Sequence, residues 1–459
     1  MRDDIFEKLI HAKNKIDGFG EIRFQRSKSL VIRFRNGRAE MINPTVDQGG
    51  CVRALLAGHG FGFANFNSLD GLINAVSDAM DASRALIPDE PIKLAEIEPV
   101  EVSIEAKLKD DFRSHTLEEK VDLLKSYDEI LAGYDKRIIE RTLIYTEEFI
   151  ENFLVTTDGV RIYKQRADGV LVCVVRATDG KTVQSAHKSY ATRHSFSELA
   201  RKHDLVEEVA KIAVGLVEAE PIKGGKYTVV VHPSLAGVFI HEAFGHLSEA
   251  DHIEENPQAR EMMKLGRKFG PEFLNVIDDG SVVPEIRGTI FYDDEGVPAQ
   301  KTYLIKDGVL VGRLHSRKTA ASMGEKPTGN ARAQDYNFQP IVRMTNTAIE
   351  AGPHPADQIF DGIKLGVYVI DAYGGQTELE NFSFSAGHAY MIRDGKVAEM
   401  VRDVVLQGNL FETLANIEQI ADDFVWCPMG GYCGKGGQRA KTAEGAPHIR
   451  IRNVLIGGK

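Results

Sequence analysis

The sequence predicts an α+β fold: N-terminal α+β units followed by a larger β-rich C-terminal domain with antiparallel sheets, which also holds the helix carrying a paired-histidine motif. Three observations support this. Short strand-like runs broken by Gly-containing turns dominate from residue 277 onward. Helical apolar spacing is confined to a few segments, and the stretch Ile87 to Val102 holds three prolines (Pro88, Pro91, Pro99) among charged residues. Read as a linker, that stretch divides the chain into an N-terminal α+β unit (1–95), a middle α+β unit (96–222) and a β-rich C-terminal domain (223–459).

In the first unit, Ile5, Phe6, Leu9, Ile10 and Ala12 fall at helical spacing. Strands follow over 21–26 and 30–35, with Asn36-Gly37 as a turn, and Cys51 to Phe66 reads as a hairpin around Gly58-His59-Gly60. No helix opens after the GHGFG glycines, so a hairpin turn is favoured there over a phosphate loop. Ser68 is the expected N-cap of a helix over 69–86. In the middle unit, Thr116-x-x-Glu119 is a capping-box pattern. Four strand-like runs (137–146, 149–156, 160–166 and 171–176) precede a long amphipathic helix over 197–218. In the C-terminal domain, Lys226 to Val231 reads as a strand and Pro233 as the first residue of a helix running through Leu247. Strands are expected over 289–292, 303–306, 309–315, 366–371, 389–393 and 396–402, with Asp307-Gly308 and Asp394-Gly395 as hairpin turns.

Composition narrows the function classes. A chain of 459 residues, 43% hydrophobic and 27% charged, has the balance of an ordinary globular protein with core enough for two or three domains. The net charge of −11 argues against a nucleic-acid-binding body. Charges interrupt the N-terminal helix, which excludes a signal peptide, and no run approaches the roughly 18–20 apolar residues of a membrane helix. Four scattered cysteines do not make a disulfide framework, so a reducing, cytoplasmic location is expected.

The chemistry concentrates in HEAFGH, His241 to His246. Two imidazoles flank a carboxylate, and Cys433 in CGKGGQ adds a thiol. Imidazole and thiolate are the ligands zinc prefers, and a nearby carboxylate is the usual means of activating water. The spacing is unusual. Five residues splay two side chains by about 140° on an ideal α-helix, so convergence on one ion requires a π-bulge or a helix end between them. Gly245 makes such a distortion inexpensive. Glycines around Cys433 let the backbone wrap closely. A phosphate loop at Gly434-Lys435 is disfavoured, because Met429 stands where the first Gly belongs and Gly436 where Ser or Thr would hold magnesium. Cys427 reads as a packing residue.

HEAFGHLSEAD, TGNARA (328–333), RMTNT (343–347), FSFS (382–385) and CGKGGQ (433–438) occur in this order. Together they resemble the TldD branch of the TldD/PmbA family of zinc metalloproteases, over essentially the whole chain. The resemblance implies one Zn2+ per chain, with His241, His246 and Cys433 as metal ligands and Glu242 as the catalytic general base. It implies cleavage of unfolded or modified peptides, with the chain as the catalytic subunit of a dimer. The partner is either a second copy or a metal-free TldE/PmbA-type subunit.

His315, Tyr336 and Arg343 are oxyanion-donor candidates by motif neighbourhood alone, each read first as structural, and substrate-binding residues stay unassigned. Should Cys433 not be the third ligand, Glu249 or His252 is the next candidate. The competing function is a non-catalytic peptide-binding or partner-regulating protein with a structural or absent metal. The natural peptide, the cleavage position and the choice between exo- and endoproteolysis are not legible in the sequence.

Overall fold

The structure, a computed structural model, describes residues 2–378 and 380–457. Its N-terminal half is organised on one seven-stranded sheet in the order Phe61–Phe66, Arg38–Leu55, Phe19–Arg35, Ile138–Thr156, Arg161–Thr178, Glu101–Ile104, with Val183–Thr192 also paired to Arg161–Thr178. The sheet therefore runs across both sides of the Pro-rich stretch. Residues 87–100 have no regular secondary structure and are tied to the C-terminal domain by two hydrogen bonds, Ala95 N–H to the Arg317 carbonyl (3.0 Å) and Arg317 Nε to the Ala95 carbonyl (2.9 Å).

The strands are longer than the sequence reading allows. The runs 21–26 and 30–35 are one strand, Phe19–Arg35, paired on both sides through the polar stretch Gln25 to Ser29. Likewise 137–146 and 149–156 merge into Ile138–Thr156, and 160–166 and 171–176 into Arg161–Thr178. Polar residues fall within these long strands, and several of them line a cavity against the C-terminal domain (Gln25, Ser27, Glu148, Arg166). The strand Arg38–Leu55 extends well before Cys51 because it pairs along its whole length with Phe19–Arg35, although its first half is largely exposed. Asn36 and Gly37, with φ of 45° and 82°, form the two-residue turn that sets its register.

Two helix expectations also change. Ser68 is not a cap; Leu72–Ala85 starts after Gly71 without a side-chain cap. The helix expected over 197–218 is two, Phe196–Ala200 and His203–Glu218. At the break the Tyr127 hydroxyl donates to the Leu199 carbonyl (2.6 Å) and accepts from the Lys202 N–H (2.9 Å), substituting for helical bonds. The Thr116/Glu119 capping box forms at both of its bonds (3.2 and 2.6 Å).

The C-terminal half has two larger sheets. In one, Leu365–Glu378 pairs with both Gly225–Val231 and Asn381–Arg393, so the path through Ile449–Gly457 and Val405–Asn409 returns on itself. The other has six strands in the order Val309–Leu310, Lys301–Lys306, Val276–Asp279, Asn346–Ile349, Ala443–Ala446, Val425–Cys427. Residues 289–292 are not a strand; Phe291 sits at φ 61° in an irregular loop. The helix Pro233–Ile240 packs on both sheets, with Phe239 against Phe382 and Phe384 at ring distances of 5.3 and 6.0 Å.

The two halves meet at a buried ion cluster. Asp168 accepts from Arg166 (2.5 and 2.8 Å) and from Lys441 of the C-terminal domain (2.7 Å). Burial alone would raise its pKa, but Arg166 and Lys441 hold the carboxyl well below the ordinary value of 3.8. A carboxylate depressed in this way contributes stability above its unfolded pKa and loses it as pH falls below about 4. Asp168→Asn is expected to lower stability by about 3–5 kcal/mol at neutral pH, since it strands buried cations. Denaturant unfolding at pH 7 and pH 3 checks this, with a smaller difference between wild type and variant expected at pH 3.

Candidate metal centre

The helix that begins at Pro233 changes winding at the histidines. Pro233–Ile240 is α-helical, His241–Gly245 is a π turn, and His246–Ser248 is 3-10. The His246 N–H donates to the His241 carbonyl, the i to i+5 bond that stacks residues five apart. The awkward spacing thereby becomes a match, and the two rings stand 5.4 Å apart and nearly perpendicular, at 88°. Gly245 serves packing as well. A Cβ there would lie 2.1 Å from Sδ of the buried Met344. Gly245→Ala is expected to cost about 1–3 kcal/mol of stability through overpacking, measured by denaturant unfolding of the metal-free chain.

Cys433 arrives on the ribbon Tyr432–Lys435, paired with Gln438–Lys441. The glycines Gly436 and Gly437, at φ 56° and 72°, make the turn between these strands. Arg343, itself buried, donates to the carbonyls of Cys433 (2.6 Å) and Gln438 (3.3 Å) and so anchors the ribbon. Sγ of Cys433 lies 3.2 Å from Nε2 of His246. One ligand atom from each of His241, His246 and Cys433 falls within a mutual 4.8 Å, the only such group among the described residues.

The three groups are strongly coupled, and a metal ion binding them would displace the imidazole protons. Burial opposes charge on all three groups, but their hydrogen bonds to one another prevail: Cys433 is lowered to about 5, His241 raised to about 9 and His246 to about 10. Nδ1 of His246 lies 2.9 Å from Oε2 of Glu249, so its Nε2 is turned toward the thiol. Glu249 is fully buried; burial would raise its pKa, yet its bonds to His246 and the charge of Lys435 (3.1 Å) hold it at about 2. Carboxylates placed behind a histidine in this way orient the ring and raise its basicity. Glu444 stands behind His241, Oε1 to Nδ1 at 3.4 Å, within ion-pair range but outside hydrogen-bond geometry. It reaches there because Gly237 lets the helix pass close to the strand Ala443–Ala446; a Cβ at 237 would meet that of Glu444 at 2.9 Å.

Donor chemistry and spacing both suit zinc. Tetrahedral sites with legs of about 2.0–2.3 Å place ligand atoms roughly 3.3–3.8 Å apart, and the donors here lie within 4.8 Å of one another, with Cys433 Sγ 3.2 Å from His246 Nε2. Glu242 is the second residue of the π turn; its side chain is 34% exposed and its Oε2 lies 3.9 Å from Nε2 of His246.

The other sequence candidates are engaged elsewhere. His315 bonds Thr319 and Glu325 (3.1 Å each), and the Tyr336 hydroxyl bonds Asp47 (3.1 Å). Arg343 binds the ribbon carbonyls. His252 is exposed, and Cys427 is buried with its thiol pushed up to about 12 by that burial. Glu444 was not singled out in the sequence, since nothing in its local pattern marks it, and Glu249 takes the place of an orienting group behind His246.

Comparison with known proteins shows the family to which the chain belongs. Three domain descriptions of one family match in order: PmbA/TldA metallopeptidase domain 1 over residues 20–83, the central domain over 110–217 and the C-terminal domain over 224–458. The chain is 43% identical over 442 residues to a protein named a metalloprotease in Synechocystis sp., covering 96% of this chain and 95% of that one. It is 26% identical over 456 residues to a zinc metalloprotease TldD homolog of Saccharolobus solfataricus, covering 99% and 100%. The fold matches the crystal structure of TldE from Thermococcus kodakarensis with a TM-score of 0.79 at 20% identity, covering 99% of this chain and 100% of that one. It also matches a candidate modulator of a DNA gyrase from Thermotoga maritima with a TM-score of 0.81 at 20% identity, covering 100% of both. The chain belongs to the TldD/PmbA family of metalloproteases.

Proposed function

We propose that this chain is a zinc-dependent peptidase that cleaves amide bonds in unfolded or modified peptides, with His241, His246 and Cys433 holding one Zn2+ and Glu242 as general base. The observation that carries the reading is the convergence of the three donors through the π turn and the Cys433 ribbon. Three protein ligands leave a position open, the catalytic rather than the structural arrangement. A zinc ion held there supplies a Lewis acid for the scissile carbonyl and brings the pKa of a water toward neutrality.

The chain's own residues do the rest. Glu249 holds the His246 imidazole in orientation through a hydrogen bond, Glu444 places a carboxylate 3.4 Å from His241, and Arg343 holds the backbone of Cys433 in place. Glu242 accepts a proton from the attacking water and returns it to the leaving amine, which its partial exposure beside His246 allows. The protein acts in the cytoplasm, as a homodimer or paired with a metal-free TldE/PmbA-type subunit; the likeness in fold to TldE supports a pairing of similar subunits.

Metal analysis of the purified chain, followed by mass spectrometry of an unfolded peptide pool before and after chelation, tests the reading. One zinc per chain and chelator-sensitive cleavage are expected. A chain without stoichiometric metal that binds peptides intact would establish the non-catalytic alternative.

A further inference from the structure

Outside the triad, a cavity of about 500 Å³ lies between the N-terminal sheet and the C-terminal domain, a size typical of small-ligand sites. Its wall is rich in charge, and the charges do not all cancel. The carboxylates there are already engaged: Asp293 accepts from the N–H groups of Glu295 and Val297 (2.9 Å each) and Ala331 (3.0 Å). Asp294 accepts from the N–H of Ala333 (2.9 Å) and faces Lys164 at 3.6 Å, Asp47 accepts from the Tyr336 hydroxyl, and Glu148 pairs with Lys441.

Besides the exposed Arg439, two arginines on the same wall have no such partner. Arg193 donates from Nη1 to the Thr289 carbonyl (2.9 Å), and its buried Nε has no hydrogen-bond partner. Arg332, only 7% exposed, donates to the carbonyls of Met344 and Lys441 (2.7 Å for the latter). Among the described residues, neither is paired with a carboxylate. Burial and the nearby Arg166 lower both to about 10, and the charges of Asp168 and Glu285 near Arg193 and of Asp294 and Asp278 near Arg332 offset only part of this. Holding uncompensated cations in a low-dielectric wall is costly, and a carboxylate bound by a guanidinium fork is the ligand that relieves it best. A chain of net charge −11 has no general attraction for anions, so the positive field here is local.

We propose that this cavity binds a carboxylate-bearing ligand through Arg193 and Arg332, at a site separate from the metal centre. Tyr432 lines the cavity, and Cys433 follows it on the same strand, so their side chains leave opposite faces of the ribbon. The ribbon is therefore a shared wall: the carboxylate site lies on one face and the His241–His246–Cys433 group on the other. The carboxylate comes either from a peptide C-terminus or from a small dicarboxylate, and titration distinguishes them.

The test is calorimetric titration of the full chain, stripped of metal with 1,10-phenanthroline and dialysed, with succinate, N-acetyl-trialanine and N-acetyl-trialanine amide. No hydrolysis is involved, so the result is independent of the proposed peptidase activity. The free acids are expected to bind, with the amide at least tenfold weaker and Arg193→Gln at least tenfold weaker for the acids. The tighter of succinate and the peptide acid names the source. Equal binding of acid and amide by the unmodified chain, no binding of either acid, or unchanged affinity in a folded Arg193→Gln overturns the proposal.

Discussion

Replacing Glu242 with Gln is expected to leave zinc content at one per chain while peptide hydrolysis falls by roughly 10²–10⁴-fold, the usual contribution of a positioned general base. The expectation rests on position. Glu242 belongs to the π turn yet is not one of the three converging donors, and its carboxylate remains partly exposed beside His246. Gln keeps the shape and removes only the ability to take a proton. The informative measurement is kcat together with metal content on the same preparation. Loss of activity with retained zinc supports the general-base role, whereas unchanged kcat assigns proton transfer elsewhere. Loss of zinc would make Glu242 a determinant of the metal site instead.

Cys433→Ser is expected to weaken zinc binding by more than about 100-fold, since altering even an outer-shell partner of a metal ligand costs about 10–100-fold. The substitution is nearly isosteric, and the ribbon is held through its backbone by Arg343 rather than through the thiol. The metal-free variant should therefore unfold at nearly the wild-type denaturant concentration. Competition with a chelator of known affinity measures the effect. Wild-type zinc affinity in Cys433→Ser would exclude the thiol as a ligand.

Much of the candidate site was legible because its candidate donors are chemically unusual residues in short motifs. His241, Glu242, His246 and Cys433 are marked by type, and the five-residue spacing forced a specific expectation, a distorted helix near Gly245. The π turn at His241–Gly245 meets that expectation. Gly245 was read as permitting distortion, and its contact geometry adds a second reason, the approach of Met344. Glu444 was not legible, because its relation to His241 is created by two elements crossing at Gly237, and a carboxylate in the stretch AEGA carries no local signal.

The same contrast holds for the fold. Turns such as Asn36-Gly37, Asp307-Gly308 and Asp394-Gly395 were readable, since each needs positive φ at both positions and the residues present tolerate it. Strand length was not. Polar residues inside Phe19–Arg35 and Arg161–Thr178 look like breaks when a strand is assumed to face either core or water. Here they face a second domain, where Asp168 meets Lys441 and where Gln25 and Arg166 line the interdomain cavity.

By itself the sequence determined the α+β class, singled out the candidate donors His241, His246 and Cys433, and required a helical irregularity, because these follow from residue type and local geometry. The tertiary structure decided which carboxylates stand behind the histidines, how far the strands run and which arginines remain unpaired. Those properties depend on which surfaces meet after folding, and burial against a partner surface, rather than local pattern, sets their energies.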